Sequence, residues 1–456
     1  MAIATIDPST GKTLRTFAPH DAAEIERRLA RAASAFETHR RTPLADRAAG
    51  LRRFADILDA ERETLARLAV VEMGKTIRAA RGELEKCALG CRWYAEHAPA
   101  MLADEGIAGA ASPSSVVYLP LGAILAVMPW NFPYWQVVRF AAPALMAGNV
   151  GLLKHASNVP QCALALEDVV ARAGFPDGAF QALVIEAGAV ADVIADPRVA
   201  AVTLTGSEGA GSAVAAAGGR HLKKTVLELG GSDPFIVMPS ADVAKAAATG
   251  VEARTINNGQ SCIAAKRFLV HTGVYDAFLD AFVAGMARLR VGDPARDDTD
   301  VGPLALAAGR DALVRQVDAA VAAGARVLLG GRKLDGPGWF YAPTVLADLP
   351  PAAPVAREEI FGPVAVVERV RDVDAAIARA NDTPYGLASS VWTRDPAERE
   401  RFVRELACGM TFVNAMVASD PRLPFGGVKR SGYGRELAVV GLREFVNTKT
   451  IVDGPA

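Results

Sequence analysis

The segment Val199–Leu204 has the sequence VAAVTL, and TGSEGAG follows it directly at residues 205–211. The first part is apolar and predicts a buried strand, whereas the glycines of the second part are typical of a tight turn that opens a helix. This turn is not the Gly-x-Gly-x-x-Gly dinucleotide fingerprint, because Glu208 stands where the second glycine would be. It therefore predicts either a phosphate site at a helix N-terminus or a purely structural turn.

The same alternation of strands and helices continues on both sides of this segment. A helical pattern runs from Asp21 to about Asp104, and a second β-α series runs from Phe235 to about Ala418. We expect strands at residues 150–153, 180–185, 199–204, 267–270, 325–329 and 364–370, and helices at 160–173 and 189–195. Such alternation is typical of parallel sheets with crossover helices, and 456 residues exceed the size of one core, so we predict an α/β fold with two domains.

The stretch 106–138 carries no charged residue. Its length would suit a membrane span, but prolines at positions 113, 120, 129 and 133 would break a spanning helix. We therefore expect short buried strands and turns in this stretch. Near the other end of the chain, the pattern of residues 445–452 predicts a strand without a domain of its own, which favours pairing with another subunit no more strongly than pairing within the chain.

The composition limits the class of partner. With 50 Lys plus Arg against 51 Asp plus Glu, the formal net charge is −1, which argues against a nucleic-acid or membrane-surface partner. We expect a small molecule or another copy of the chain instead.

The cysteines and the N-terminus indicate where the protein acts. Five scattered cysteines and no N-terminal export signal favour a reduced, cytoplasmic setting. We expect no metal site, because Cys87 and Cys91 have no third ligand nearby and are better explained as packed residues.

Two residues suggest acyl chemistry. Cys262 follows the polar loop NNGQS at residues 257–261, and a cysteine thiolate is a strong nucleophile near neutral pH. Glu228 lies in the apolar run VLELGG at residues 226–231, where burial would raise the pKa of a carboxyl group toward the value that a general base needs. The alternatives are a buried structural cysteine and a salt-bridged strand carboxylate.

Polar residues follow two further predicted strands. The rigid turn PWNFP at residues 129–133 presents Asn131, whose amide either stabilises an oxyanion or belongs to an ordinary turn. Lys154 and Ser157 follow the strand at 150–153. A cation and a hydroxyl group without a nearby acid suit the 2′-phosphate of NADP, whereas NAD sites usually offer a carboxylate to the ribose. We expect His155 to be packed or solvated rather than catalytic.

With these motifs in this order, the chain resembles the aldehyde dehydrogenase superfamily over essentially its whole length. The motifs that carry the resemblance are PWNFP (129–133), LTGS (204–207), LELGG (227–231), GQSC (259–262), EEIFGP (358–363) and PFGGVK (424–429). The resemblance implies a Rossmann-like cofactor domain, a catalytic α/β domain and a small β oligomerisation extension, in a homodimer or homotetramer. These parts would span residues 1–105 with 120–228, residues 229–425, and residues 106–119 with 440–456, respectively.

The resemblance also implies roles for individual residues. Cys262 would attack the aldehyde carbon, while Asn131 and the backbone N–H of Cys262 hold the oxyanion. Glu228 would activate the water that hydrolyses the thioester; relatives that release an acyl-CoA lack this glutamate. Many NAD-preferring relatives carry glutamate at the position of Ser157, which supports NADP as cofactor, with NAD as the weaker alternative. The implied cofactor residues are Trp130, Asn131, Lys154, Ser157, Ser207, Glu208, Leu229, Glu359 and Phe361.

Arg139 is the only charged residue between Gly106 and Leu153. A guanidinium group in apolar surroundings needs an anion, which is either the substrate's or that of a buried structural ion pair. The stretch 413–427 resembles the succinate-semialdehyde dehydrogenase branch of the family, in which the positions of Arg139 and Ser419 hold the distal carboxylate. The resemblance therefore implies oxidation of succinate semialdehyde to succinate.

The chain departs from that branch at two positions. Some members carry a second arginine where this chain has Ile256, and a redox-switching cysteine where it has Ala264. We therefore expect neither a two-arginine clamp nor this switch. The alternatives are an aldehyde dehydrogenase for another substrate, such as glutarate semialdehyde or an aliphatic or aromatic aldehyde, and a non-catalytic binding protein on the same fold.

Overall fold

A computed structural model describes residues 3–110 and 112–454. In these residues, four long helices precede the two large sheets. The helices are α1 (Ala22–His39), α2 (Leu44–Ala60), α3 (Arg62–Met73), α4 (Ile77–Met101), α5 (Trp135–Ala147), α6 (Pro160–Arg172), α7 (Val190–Ala195), α8 (Glu208–Arg220), α9 (Val243–Thr255), α10 (Tyr275–Ala287), α11 (Ala307–Ala322), α12 (Val373–Asn381), α13 (Pro396–Glu405) and α14 (Ala438–Arg443).

The strands form four sheets. They are β1 (Ile3–Ile6), β2 (Thr13–Phe17), β3 (Glu105–Gly106), β4 (Ser114–Pro120), β5 (Ala123–Met128), β6 (Val150–His155), β7 (Phe180–Ala182), β8 (Val199–Thr205), β9 (Lys224–Glu228), β10 (Pro234–Val237), β11 (Arg267–His271), β12 (Arg326–Leu329), β13 (Thr344–Ala347), β14 (Val364–Val370), β15 (Ala388–Trp392), β16 (Met410–Val413), β17 (Gly432–Tyr433) and β18 (Val446–Val452).

The first large sheet has the strand order β17-β9-β8-β5-β6-β7. All its pairs are parallel except β17 with β9. The chain order changes direction at β5, which lies between β6 and β8, and the crevice at such a switch point is where ligands bind in open α/β sheets. The predicted strand 199–204 is β8, and its glycine turn leads into α8 as expected.

The second large sheet has the order β12-β13-β14-β11-β10-β15-β16, and only the β12–β13 pair is antiparallel. The predicted α/β fold is therefore confirmed. Strands β3, β4 and β18 form a separate antiparallel sheet, with β18 at its edge. The predicted domain boundaries stay predictions, and β17 adds residues beyond 425 to the first sheet.

The prediction of only strands and turns for residues 106–138 is partly wrong. Strands β4 and β5 lie there, but α5 begins at Trp135. Every residue of α5 is buried, so this helix has no polar face and shows no helical periodicity in its sequence. A fully buried helix of this kind is indistinguishable from a buried strand by pattern alone.

A carboxylate on α3 and another on α4 accept hydrogen bonds from the N-termini of α6 and α5. We call helices α1 to α4 the helical layer. Glu83 Oε1 accepts hydrogen bonds from the backbone N–H groups of Tyr134 and Trp135, both at 2.8 Å. Glu72 accepts in the same way from the backbone of Gln161 and Cys162, both at 3.0 Å. These N–H groups have no partner within their own helices, and the helix dipole favours a negative charge there. These four hydrogen bonds fix α5 and α6 against α3 and α4.

Within the described ranges 3–110 and 112–454, no helix is long and apolar enough to cross a membrane. In that same part of the chain, no three His, Cys, Asp or Glu side chains are grouped closely enough to hold a metal ion. Cys87 and Cys91 are both fully buried in the helical core.

Candidate active site

The side chain of Cys262 lies between two cavities. The first, which we call the α4 cavity, has a volume of about 250 Å³ and is bounded by α4, α5 and residues 418–425. The second, the β8 cavity, has a volume of about 240 Å³ and lies beyond the carboxyl ends of β5, β8 and β9. Gln136 is the other residue that lines both. A nucleophile between two adjoining cavities can react with one ligand while a second ligand is bound beside it.

The loop that precedes Cys262 has an unusual backbone. Asn257, Asn258 and Gly259 have φ angles of 55°, 59° and 74°, which place three successive residues in the left-handed region. Asparagine tolerates this region better than other non-glycine residues, although the conformation still costs free energy. The run ends the helical path of α9 and turns the chain toward the two cavities.

Hydrogen bonds from its own side chains hold this loop. Asn257 Nδ2 donates to the Asn131 carbonyl oxygen at 2.6 Å. Asn258 Nδ2 donates to a carbonyl oxygen in the α3–α4 connection at 2.9 Å. Gln260 Oε1 accepts from the N–H of Ala305 at 3.0 Å. The polar residues before the nucleophile therefore fix the loop to three separate parts of the chain.

Gly259 packs closely against another segment of the chain. A Cβ atom at Gly259 would overlap the backbone of Gly362 and Pro363. The close neighbour is thus the EEIFGP segment of the protein itself.

The Cys262 thiol is protonated at rest. Burial raises its pKa to about 12, although the positive charges of Lys266 and Arg139 oppose this shift. Lys266 Nζ also donates to the carbonyl oxygens of Ser261 at 2.9 Å and Cys262 at 2.7 Å. Lys266 therefore both holds the nucleophile loop and supplies the nearest stabilising charge for a thiolate.

Asn131 lies beside the nucleophile on the wall of the β8 cavity. Its Nδ2 donates to the carbonyl oxygen of Gln260 at 3.0 Å. A primary amide has two N–H donors, so one remains for a ligand oxygen. The geometry is compatible with the predicted oxyanion contact, and the assignment stays a prediction.

Glu228 is a buried carboxyl group at the end of β9, and neither of its oxygens has a hydrogen-bond partner within residues 3–110 and 112–454. Burial raises the pKa of Glu228 well above its usual value, and the negative charge of Glu436 raises it further. The Glu228 carboxyl group is therefore a weaker acid, and its carboxylate a stronger base, than an exposed glutamate would be. A Cβ atom at Gly426 would meet Glu228 Oε1, so this glycine leaves the space that the carboxyl group occupies.

Arg139 has its counter-ion within the protein. Its Nε forms a buried ion pair with Glu436, its Nη2 donates to Thr205 Oγ1 at 3.0 Å, and its guanidinium carbon lies 4.7 Å from the Phe425 ring centroid. Of the two alternatives for this residue, the structure shows the buried ion pair. The charge of Arg139 therefore does not need a substrate anion for its balance, although Arg139 does line the α4 cavity. A role toward a substrate carboxylate stays a prediction.

The remaining residues of the predicted cofactor site fall into two groups. Trp130, Ser207, Leu229, Glu359 and Phe361 line the β8 cavity. The Trp130 and Phe361 rings meet edge to face, with centroids 5.8 Å apart. Ser207 Oγ caps α8, and the adjacent Glu208 pairs with an arginine rather than lining the cavity. Glu359 is held by the N–H of Gly231 and by Lys266, and burial raises its pKa.

Lys154 and Ser157 lie at and just beyond the end of β6. In the part of the chain that the structure describes, Lys154 has no carboxylate within ion-pair distance, and burial lowers its pKa. His155 between them is packed, as expected. Its Nε2 donates to the Pro133 carbonyl oxygen at 2.9 Å, and burial lowers its pKa to about 4. A buried cation without an ion-pair partner in the described residues suits an anionic ligand group.

Ser419 contacts a residue that the sequence analysis missed. Lys86 Nζ on α4 donates to Ser419 Oγ at 2.6 Å, and both residues line the α4 cavity. Glu436, the partner of Arg139, was missed as well. A sequence signal existed for Lys86, because it follows Ala79 and Glu83 at helical spacing on one face of α4. None existed for Glu436, since it comes from a distant part of the chain.

Comparisons with known proteins identify similar chains. Residues 1–451 match the family model described as the aldehyde dehydrogenase family. Succinate-semialdehyde dehydrogenase (NADP+) 1 of Mycobacterium tuberculosis is 58% identical over 454 residues, which cover 99% of each chain. The corresponding NADP+ enzyme of Mycobacterium leprae is 56% identical over 454 residues, with the same coverage. The structure of succinic semialdehyde dehydrogenase from Streptococcus pyogenes with NADP+ superposes with a TM-score of 0.97 at 37% identity and covers 100% of both chains.

Replacing Gly259 by alanine tests the constraint on the nucleophile loop. We expect a loss of activity of about 100-fold or more, because the overlap with Gly362 and Pro363 displaces Cys262 from its attack geometry. The matched control is Gly11→Ala, at which φ is 72° and the nearest atom lies 3.9 Å away. Both variants lose stability because alanine disfavours a positive φ, but only Gly259→Ala adds the overlap with the backbone. Thermal melts measure the loss of stability, and steady-state rates measure the effect of the overlap on activity. Equal activity in the two variants would contradict the constraint.

Proposed function

Because the chain belongs to the aldehyde dehydrogenase family, we propose that it oxidises succinate semialdehyde to succinate with NADP+ as the hydride acceptor. The observation that carries the proposal is the α4 cavity, in which Cys262 shares the walls with Arg139 and Ser419. A reactive thiol at one side and polar, cationic groups at the other suit a short aldehyde with a distal carboxylate. The succinate-semialdehyde dehydrogenase (NADP+) 1 of Mycobacterium tuberculosis aligns with 99% of the chain.

The first half of the proposed reaction takes place at Cys262. The thiol loses its proton to solvent water as its sulfur attacks the aldehyde carbon, which gives the oxyanion of a thiohemiacetal. The oxyanion accepts hydrogen bonds from Asn131 Nδ2 and from the backbone N–H of Cys262, and such donors are worth roughly 10²- to 10³-fold in rate. Bound NADP+ supplies the oxidising power by taking up hydride. The Lys266 ammonium group favours the thiolate that the attack requires.

The second half requires a base. A thioester links Cys262 to the acyl group after hydride loss, and water must attack its carbonyl carbon. Glu228, once deprotonated, takes a proton from this water, the C–S bond breaks, and the sulfur regains a proton. Aldehyde, water and NADP+ thus give carboxylate, NADPH and two protons. The raised pKa of Glu228 makes it a stronger base than an exposed carboxylate would be.

The β8 cavity and its surroundings suit the cofactor. Ser207 and the N-terminus of α8 lie where a pyrophosphate group would find N–H donors, and Glu359 offers a carboxylate to a ribose. Lys154, with no carboxylate partner among the residues that the structure describes, would meet the 2′-phosphate together with Ser157. NADP+ is therefore the preferred cofactor, and NAD+ is the weaker alternative.

An exposed sheet edge supports self-association. Strand β18 lies at the edge of the sheet β18-β4-β3, and most of its residues are exposed. Unpaired edge N–H and carbonyl groups favour pairing with a second chain. A homodimer or homotetramer is therefore part of the proposal, and light scattering should give a multiple of the 47.7 kDa chain mass.

The cysteines bear on the proposed location of the protein. All five are free thiols, which fits the reducing cytoplasm.

A second candidate substrate class deserves a direct comparison because apolar groups dominate part of the α4 cavity. Phe132, Trp135, Ile256, Ile263 and Phe425 all line it. These side chains would accept an uncharged aliphatic aldehyde. Butanal, which has the same chain length as succinate semialdehyde but no carboxylate, is the appropriate competitor.

We expect the catalytic efficiency kcat/KM with NADP+ to be at least about 10-fold higher for succinate semialdehyde than for butanal, since a charge-assisted contact to the carboxylate contributes that much. Initial rates with the two aldehydes measure this ratio. Equal efficiencies would contradict succinate semialdehyde as the preferred substrate.

In Glu228→Gln we expect a burst of about one NADPH per active site and then a steady state about 10²- to 10⁴-fold slower, because the thioester forms but its hydrolysis lacks a base. Stopped-flow absorbance measures both the burst and the steady state. An unchanged steady-state rate would contradict the role of Glu228.

Ser157→Glu tests the cofactor assignment. A carboxylate at this position repels the 2′-phosphate, so we expect the ratio of kcat/KM for NADP+ to that for NAD+ to fall by about 10-fold or more. Ser157→Gln, of similar size without the charge, is the control and should change the ratio much less. Initial rates with both cofactors provide the measurement. A ratio that responds equally to Glu and Gln would remove the electrostatic argument.

A further inference from the structure

The α4 cavity contains a lysine with no internal counter-ion. Within residues 3–110 and 112–454, Lys86 has no carboxylate at ion-pair distance; its polar contact is with Ser419 Oγ, and its Nζ lies 4.7 Å from the Trp135 ring centroid. The other cations nearby are satisfied, because Arg139 pairs with Glu436 and Lys75 pairs with Glu83. Leaving one ammonium group unpaired in a largely apolar cavity costs free energy unless a ligand anion meets it.

The hydroxyl group of Ser419 is poised to donate a hydrogen bond. Its oxygen accepts from Lys86 Nζ at 2.6 Å and from Trp135 Nε1 at 3.0 Å, which occupies both acceptor sites of a hydroxyl oxygen. Its own hydrogen has no acceptor among the contacts of the described residues. Lys86 has used one of its three N–H donors in the same contact. Two donor groups, one of them charged, thus lie side by side on the wall of the cavity.

We propose that Lys86 joins Ser419, already implied as a contact of the distal carboxylate, in binding that carboxylate, and that the charge of Lys86 makes the enzyme prefer an anionic aldehyde. This inference rests on the proposed function and gives the carboxylate a receptor on α4. The ammonium group of Lys86 donates to one carboxylate oxygen, and the hydroxyl group of Ser419 donates to the other. Arg139, whose Nε pairs with Glu436, lines the same cavity and adds to its positive charge.

Lys86→Met tests this assignment, since it removes the charge but keeps a long flexible chain. We expect kcat/KM for succinate semialdehyde to fall by about 10- to 100-fold and kcat/KM for butanal to change by less than about 3-fold. Ser419→Ala should show the same selectivity with a smaller loss. Lys245→Met, which removes an exposed lysine from α9, is the control for a general loss of charge and should change neither value.

The pH dependence provides a second readout. Burial lowers the pKa of Lys86 to about 8, and the positive charge of Arg139 lowers it while Cys87, Asp420 and Glu83 oppose the shift. An ammonium group is charged below its pKa, so the preference for succinate semialdehyde over butanal should fall as the pH rises above 8. The ratio of the two kcat/KM values cancels the titration of the nucleophile and the base, which both substrates share. In Lys86→Arg, which stays charged, the ratio should remain constant with pH.

Three outcomes separate failure of this inference from failure of the proposed function. If wild type prefers succinate semialdehyde and Lys86→Met keeps that preference, the assignment of Lys86 is overturned while the function stands. If Lys86→Met lowers both efficiencies equally, Lys86 has only a structural role and the assignment is again overturned. If wild type shows no preference and succinate does not inhibit its oxidation of butanal, the proposed substrate fails and the receptor fails with it. Competitive inhibition by succinate that is weakened at least about 10-fold in Lys86→Met supports the receptor independently of turnover.

Discussion

The left-handed backbone at Asn257, Asn258 and Gly259 is the constraint on which the rest of the site depends. Two non-glycine residues in this conformation cost about 1–2 kcal/mol each, so the surrounding structure must offset the cost. The asparagine amides do so by bonding to the PWNFP turn and to the α3–α4 connection. The loop thereby joins the first large sheet, the second large sheet and the helical layer at one point. Cys262 lies where these three parts meet, and its side chain lines both cavities.

The charged groups around the site are of two kinds, those paired with an opposite charge and the carboxyl group of Glu228, which is not. Lys75 with Glu83 and Arg139 with Glu436 form buried pairs, and Lys266 is balanced by Glu359. Breaking such a pair leaves an uncompensated buried charge, which costs about 3–5 kcal/mol. Glu228 is different, because its buried carboxyl group has no hydrogen-bond partner within residues 3–110 and 112–454, and burial raises its pKa. The protein thus carries an energetic cost at the group proposed as the base, a role that a raised pKa suits.

Much of the fold and part of the site could be predicted from short stretches of sequence. Val199–Leu204 and its glycine turn predicted β8 and α8, because strand, turn and helix follow one another within a few residues. The motifs around Asn131, Glu228 and Cys262 could be recognised for the same reason. Helix α5 was missed because all its residues are buried and it lacks a polar face. The counter-ion of Arg139 was missed because Glu436 approaches from the far end of the chain, and no local pattern encodes such a contact.

The residues proposed to bind the substrate and the residues proposed to react with it lie on different elements of the fold. The groups proposed to break and form bonds lie on loops at the ends of sheet strands, whereas Lys86 belongs to a helix that supplies one wall of the substrate cavity. Glu83 on the same helix cannot vary freely, since it neutralises Lys75 and completes the N-terminus of α5. Lys86 contacts Ser419 and the Trp135 ring but neutralises no carboxylate within residues 3–110 and 112–454. If Lys86 sets the preference for an anionic aldehyde, a substitution at that single position changes which aldehydes are accepted and leaves the groups proposed to react in place.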